Sequence, residues 1–298
     1  MQRVPHPVQY QGSKRQLASA ILRYVPARTA RLIEPFAGSA AMSIASAVQK
    51  KSAAYWVNDL NQPLAKLLQL MVETPEQIAA DYAQIWQAQH GNDNHYYQVR
   101  QDFNRTHSPA LFLYLLARCV KGAVRYNGQG EFNQSHDKRR CGTKPDTMRA
   151  NILGVSALLK GRAQFSAQDY RVVLDEAQKS DVVYLDPPYQ GVCGERDARY
   201  FSGIAHDDFV TALDELNQRD IAYIVSYDGR RGEKIFGEPL PDFLDLRHVE
   251  LNAGRSSQAT LLGRDETTIE SLYFSRALAK RLPDQLGSIR EIAQVHYA

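Results

Sequence analysis

The stretch SDVVYLDPPYQG, residues 180 to 191, carries an aliphatic run that ends in an acid, two prolines and a tyrosine. Those residue types suit one kind of chemistry. An exocyclic amine on a nucleobase is a poor nucleophile because its lone pair is delocalised into the ring. A carboxylate and a backbone carbonyl that accept its two N–H groups favour a pyramidal nitrogen with its lone pair aimed at an electrophile. Asp186 supplies the carboxylate and Pro187 the carbonyl, while Pro187 and Pro188 fix the turn and leave carbonyls without competing local donors. Tyr189 would stack on a base taken out of the duplex. Taken alone, a strand followed by Pro-Pro is more often just a terminator, so the rest of the chain has to decide.

Three further constellations bear on the decision. IEPFAGSAA, residues 33 to 41, reads as a strand end, an acid, a glycine turn and small residues opening a helix. Ligands of doubly wound sheets sit at such carboxyl ends, and small residues let the backbone approach them. The pattern suits an adenosyl ligand; it is not GxGxxG, so a dinucleotide pyrophosphate fits less well. A plain tight turn at Gly38 is about as good an explanation of this stretch alone. Asp59 follows roughly 20 residues later, where nucleotide sites place an acid on ribose hydroxyls, although it also stands where it could help cap the next helix. FSAQDY, residues 165 to 170, offers Asp169 as an acceptor for an adenine amino group, or as an exposed loop acid.

The elements that must position these residues follow from periodicity. Short β-branched runs alternate with amphipathic ones, the pattern of a mostly parallel sheet covered by helices. Strands are expected at 31–35, 53–58, 181–186, 222–227, 244–251 and 270–275. Ser39 is expected to cap a helix through Ala40 to Gln49, Asn61 with Pro63 to open LAKLLQLM, and His206 or Asp207 to open DFVTALDELNQ. Residues 61 to 160 break the rhythm with long helical stretches and a polar, turn-rich segment, and read as an insertion. Within it, Ser108-Pro109 starts a helix expected to turn Phe112, Leu115, Leu116, Cys119 and Ala123 inward and Arg118, Lys121 and Arg125 onto another face. YNGQGEFNQ then marks a tight turn, a hairpin tip expected near 125–141.

The 298 residues, 44% hydrophobic and 23% charged, suffice for a full α/β core and speak against disorder. A net charge of only +3 proposes no polyanionic partner by itself, but residues 118 to 149 hold eight basic side chains against three acids. Cysteines 119, 141 and 193 form no close pair, so no disulfide framework or metal site is expected. No aliphatic run has the ~18 residues of a membrane span, and the start lacks a signal-peptide core, so a soluble cytoplasmic protein is expected.

In this order the motifs resemble the N6-adenine DNA methyltransferases of the Dam type: YQGSKR (10–15), IEPFAGSAA, VNDLN (57–61), RYNGQGEFN (125–133), FSAQDY, LDPPY (185–189), IVSYDG (224–229) and RSSQATLLGR (255–264). Each is weak alone and the ordered set is specific. The resemblance implies a Rossmann-like α/β catalytic domain, residues 1–60 and 161–298, that uses S-adenosylmethionine and no metal. Tyr10 and Lys14 would lie near the methionine end of the donor, with Glu34, Pro35, Phe36, Ala37, Gly38 and Ser39 around it. Asp59 would take its ribose, Asp169 and Tyr170 its adenine, and Asp186, Pro187, Pro188 and Tyr189 the target adenine. The block 61–160 would be a mainly helical recognition domain on double-stranded DNA. Arg118, Lys121, Arg125, Asn127, Asn133, Lys138 and Arg139 are its candidate contacts, joined by Arg255, Ser256, Ser257 and Arg264 from a later loop. A cognate restriction endonuclease would be a partner in one setting of such enzymes. The sequence departs from the family pattern in two places: Ala40 stands where Gly often follows Ser, with an ordinary helical conformation expected, and YQGSK replaces a more usual Gly-Gly-Lys. Among other acceptors, cytosine N4 and a protein glutamine are argued against by Asp186, since those enzymes usually carry Ser or Asn there, while an RNA adenine stays an alternative against which the large basic insertion favours DNA. A catalytically silent DNA-binding homologue is the reading from another class.

Overall fold

Successive residues of the central strands feed opposite faces of one sheet. In the computed structural model, which describes residues 3–188, 204–231, 234–236, 239–255, 267–282 and 293–294, Leu32, Val182, Tyr184, Ala222 and Ile224 join one buried cluster. Their chain neighbours Ile33, Val183, Leu185, Tyr223 and Val225 join another. Strands apolar on both faces are what a parallel sheet between helical layers requires.

The strands are β1 (Thr29–Glu34), β2 (Ser52–Asn58), β3 (Ala163–Ser166), β4 (Val182–Leu185), β5 (Ala222–Arg231), β6 (Lys234–Phe236), β7 (Arg247–Arg255), β8 (Thr267–Phe274) and β9 (Ala293–Gln294). Their order is β3-β2-β1-β4-β5-β8-β7-β9, with β6 paired to β5. From β3 to β5 all pairs are parallel, and β8 runs antiparallel to both β5 and β7. Sequence order runs outward in both directions from the β1–β4 pair, so a crevice opens past the ends of those two strands. Doubly wound sheets bind ligands at that switch point. Glu34 ends β1 and Asp186 directly follows β4.

The helices are α1 (Ala18–Ile21), α2 (Ala41–Val48), α3 (Gln62–Glu73), α4 (Pro75–Gln87), α5 (His95–Thr106), α6 (Pro109–Arg118), α7 (Pro145–Leu159), α8 (Tyr170–Asp175), α9 (His206–Gln218) and α10 (Arg276–Arg281). Asn61 caps α3 as expected, its Oδ1 accepting from Leu64 N at 3.2 Å. In α9, Phe209, Leu213 and Leu216 are buried on the sheet, each worth about 1.5–3 kcal/mol. Between β2 and β3 the chain forms α3 to α7 and no strand. This block has no core of its own: Leu64, Tyr82, Phe103, Phe112 and Ile152 belong to the same cluster as Leu32 and Tyr55 of the sheet. None of the helices among the described residues is long and apolar enough to cross a membrane.

Three expectations are corrected, the ordinary helical conformation expected at Ala40 among them. Ser39 does not cap α2: its Oγ lies 2.7 Å from Ser13 Oγ, and the cap position falls to Ala40, which is left-handed at φ 55°, ψ 35°. A non-glycine residue there costs about 1 kcal/mol or more. The Ala40 methyl group is buried at 1% exposure, and burying one methyl group recovers a similar amount. Likewise Arg118, Lys121 and Arg125 share no helix face, because α6 stops at Arg118 and Lys121 is itself left-handed at φ 59°.

The stop is enforced at Gly122, φ +62°, where an added Cβ would sit 2.8 Å from the Gln9 carbonyl carbon. Gly122 also accepts from Gln11 N at 3.0 Å, so the amino-terminal segment is pinned to the loop after α6. Backbone meets backbone here, and neither side can rotate away. A Gly122→Ala variant is therefore expected to lose about 2 kcal/mol or more. Urea unfolding of the two proteins measures it, and equal midpoints would contradict the contact.

Candidate active site

Tyr10, Lys14, Glu34, Pro35, Phe36, Ala37, Gly38, Ser39, Asp59, Asp169, Tyr170 and Asp186 all line one cavity of about 300 Å³ at the switch point, as do Pro187 and Pro188. They come from five separate stretches of chain, brought together by the strand order. Tyr189, Ser256, Ser257 and Arg264 lie outside the described residues, and Arg255 ends β7.

Each edge of the cavity is tied down by hydrogen bonds. Gly38 is left-handed at φ +50°, and a Cβ there would meet the Tyr10 ring at 3.1 Å, so the glycine turn lies flat under the tyrosine. Asp59 fixes the same turn: its Oδ2 accepts from Gly38 N at 2.8 Å and its Oδ1 from Asn61 N at 3.0 Å. Burial raises the Asp59 pKa above the usual carboxylate range, against those two hydrogen bonds. An ionised carboxylate offers about four acceptor positions, so two remain for ligand hydroxyls. Asp169 caps α8 through Arg171 N at 2.9 Å, using one oxygen. The Phe36 and Tyr170 rings lie 5.2 Å apart and close one wall.

Glu34 is buried and reaches α2: its carboxylate accepts from Met42 N, Ser43 N and Ser43 Oγ at 3.3, 3.0 and 2.6 Å. It thereby supplies the capping that Ser39 was expected to give. Desolvation, with a smaller push from Asp186, raises its pKa to about 7 despite those three donors. From about pH 4.5 to 7 the folded chain holds a proton that the unfolded chain has released, so stability falls as pH rises through that window. A Glu34→Gln variant is expected to flatten the slope by up to about 1.4 kcal/mol per pH unit. Urea unfolding of both proteins at pH 5, 6 and 7 reads this, and parallel slopes would contradict it.

Asp186 sits beside a buried cation. Lys14, 7% exposed, places Nζ 3.0 Å from Asp186 Oδ1 and 3.5 Å from Glu270 Oε2. A carboxylate in that setting works as an acceptor that orients a donor. Glu270 was missed by sequence reasoning, because nothing near it in the chain marks it.

Asn58 was missed as well, although VNDLN was singled out. Its Nδ2 donates to Pro35 O and Gln168 O, both at 2.9 Å, and its Oδ1 accepts from Ser166 Oγ at 2.7 Å and Gln168 N at 2.9 Å. One buried amide thus joins the loops after β1, β2 and β3. Its signal in the sequence is only a polar residue at the end of an apolar strand.

The basic loop borders the cavity through Val124. The chain reverses at 127–131, with single bridges Tyr126–Phe132 and Cys119–His136. Asn127 builds the turn: its Oδ1 accepts from Gln129 N and Glu131 N, and its Nδ2 donates to Glu131. Asn104, also unmarked in the sequence, clamps the Phe132 backbone from both sides. Tyr126 OH accepts from Asn61 Nδ2 at 3.0 Å, linking the loop to the Asp59 edge. Arg118 is half-buried, bracing the loop through Asp137 O, whereas Lys121, Arg125, Asn133, Lys138 and Arg139 are exposed.

Residues 10–242, well over half of the chain, match the family of D12 class N6 adenine-specific DNA methyltransferases. The chain belongs to that family. Among curated relatives, the DNA N-6-adenine-methyltransferase of Escherichia phage P1 is 30% identical over 80% of this chain, which spans only 30% of that longer protein. The DNA adenine methylase of Serratia marcescens is 26% identical over 75% of this chain and 79% of its own length. The Retron Ec67 DNA adenine methylase of Escherichia coli is 28% identical over 76% and 74%. Family membership gives the sheet, its switch-point cavity and the Asp-Pro-Pro turn one common reading.

Proposed function

We propose that the chain transfers a methyl group from S-adenosylmethionine to N6 of an adenine flipped out of duplex DNA. The observation that carries this reading is that the Gly38 turn and the Asp186-Pro187 turn open into one cavity, so a donor on the first faces an acceptor on the second. The residues fit such a donor. Tyr10 over Gly38 leaves room only for backbone, Asp59 retains acceptor positions for ribose hydroxyls, and Phe36 and Tyr170 supply an aromatic wall for adenine. Asp59, Asp169, Asp186 and Asp208 against Lys14 and Arg171 make the lining acidic, which suits a cationic sulfonium.

When bound, S-adenosylmethionine supplies an electrophilic methyl group. Asp186 and the Pro187 carbonyl accept the two N–H groups of the target amine and turn its lone pair toward that methyl. Tyr189 follows directly in the chain and is the proposed stacking partner of the flipped base. The sulfur–methyl bond breaks as the nitrogen–methyl bond forms, and the nitrogen then releases a proton to solvent. No covalent enzyme intermediate is needed.

The block 61–160 is the proposed recognition region, inserted into a catalytic unit of residues 1–60 and 161–298. Exposed Lys121, Arg125, Lys138 and Arg139 serve phosphates, with Asn133 beside them. Arg118 and Asn127 hold the loop's shape. Arg255, Ser256, Ser257 and Arg264 are proposed as further DNA contacts.

Calorimetric titration with S-adenosylmethionine tests the donor assignment. One binding site is expected, and Asp59→Ala is expected to weaken it about tenfold or more, because both the ribose acceptor and the Gly38 anchor are lost. No binding, or unchanged affinity in the variant, would overturn it.

A further inference from the structure

Residues 122 to 126 border the cavity and are fastened to it at both ends, and each fastening leads to the same glycine. At one end Gly122 O accepts from Gln11 N at 3.0 Å, next in the chain to Tyr10, whose ring lies 3.1 Å from where a Cβ on Gly38 would stand. At the other, Tyr126 OH accepts from Asn61 Nδ2 at 3.0 Å. Asn61 N in turn donates to Asp59 Oδ1 at 3.0 Å, and Asp59 Oδ2 holds Gly38 N at 2.8 Å. Val124, buried between the two fastenings, lines the cavity itself. Lys121 stands just before this stretch and Arg125 within it, and both are exposed. A phosphate held by Arg125 therefore fixes a segment whose two ends support the Gly38 turn, and a donor seated on that turn fixes the same supports from the cavity side. Ordering imposed by the first ligand need not be imposed again by the second, so each raises the affinity of the other by an equal factor.

We infer that the Tyr126–Asn61 hydrogen bond couples the two substrates: DNA held by the recognition loop tightens the cofactor site, with Tyr126 and Asn61 as positioning residues. Both act through Asp59 and the Gly38 turn. The inference rests on the function proposed above and concerns how its two substrates depend on one another.

Calorimetric titration with S-adenosylhomocysteine, which lacks the methyl group and so does not react, tests it with and without a saturating duplex of a sequence that the protein methylates. In the wild type the duplex is expected to tighten binding about fivefold or more, and S-adenosylhomocysteine to tighten duplex binding by the same factor. Tyr126→Phe removes the hydroxyl, while Asn61→Ser keeps a hydroxyl to cap α3 and gives up the reach to Tyr126. Each variant, and the two combined, is expected to bring the factor to within about twofold of one, as loss of a shared contact requires. A merely structural defect would weaken binding equally with and without the duplex and leave the factor as it was. A wild-type factor near one or below overturns the inference. So does a variant, by either substitution, that keeps the wild-type factor. Methylation of no duplex, or no binding of S-adenosylhomocysteine by the wild type, would strike the proposed function itself and the inference with it.

Discussion

Asp186→Asn is expected to lose methyl transfer by about 100- to 1,000-fold while binding S-adenosylmethionine within about threefold of wild type. The substitution keeps the shape of the side chain and changes what it offers. An amide retains one acceptor oxygen but turns an N–H donor toward an amine that is itself a donor, and the negative charge that stabilises the developing cation is gone. Lys14 keeps Glu270 at 3.5 Å as a charge partner, so the loss is one of chemistry more than of folding. The Gly38 turn, which holds the proposed donor, is anchored by Asp59 and Tyr10 and does not depend on Asp186. Single-turnover kinetics beside calorimetric titration separate the two effects. A variant that transfers methyl at near the wild-type rate would show that the carboxylate does not orient the amine.

The second large effect is expected at a residue that touches no reacting atom. Asn58→Asp removes two donors from a side chain at 0% exposure and places acceptors against the carbonyls of Pro35 and Gln168. It also puts a carboxylate where no cation is found among its hydrogen-bond partners. Stranding two buried carbonyls costs about 1–3 kcal/mol each, and a buried charge adds to that, so a loss on the order of 4 kcal/mol is expected. The cavity suffers first, because Asn58 fastens the loops that carry Pro35, Asp59 and Asp169. Affinity for S-adenosylmethionine is expected to fall about 100-fold or more even where the variant remains folded. Urea unfolding and calorimetry measure the two losses, and a stable variant with intact binding would contradict the role given to this amide.

What the sequence made legible is what local chemistry dictates. The central strands announce themselves as apolar runs because both of their faces are buried, as Ile33 and Leu32 or Val183 and Val182 illustrate. The cavity residues are legible because a glycine turn, a strand-end acid and Asp-Pro-Pro each need particular residue types at particular places. Edge strand β3, only AQFS, has no such pattern and escaped notice. Ser39 looks like a cap by type, yet tertiary packing gives its hydroxyl to Ser13 and leaves capping to Glu34. Shortly after helix α6 ends at Arg118, Gly122 meets the backbone of Gln9, a contact between segments more than a hundred residues apart. Separation along the chain also hid the Lys14–Asp186–Glu270 cluster, and the Asn104 clamp on Phe132 bridges two segments with no shared pattern. Composition could show a basic loop, but not that Arg118 and Asn127 are spent on holding it while Lys121 and Arg125 are exposed.

The cavity is proposed to join a sulfonium methyl donor to the amine of an adenine in duplex DNA. Incubation with methyl-labelled S-adenosylmethionine and mixed-sequence duplex, digestion to nucleosides and separation of the products tests it most directly. The label is expected in N6-methyladenosine of the deoxy series, at a restricted set of sequence positions, and in no other nucleoside. Label in N4-methylcytosine or in protein, or cofactor binding with no labelled nucleoside on any DNA, would contradict it.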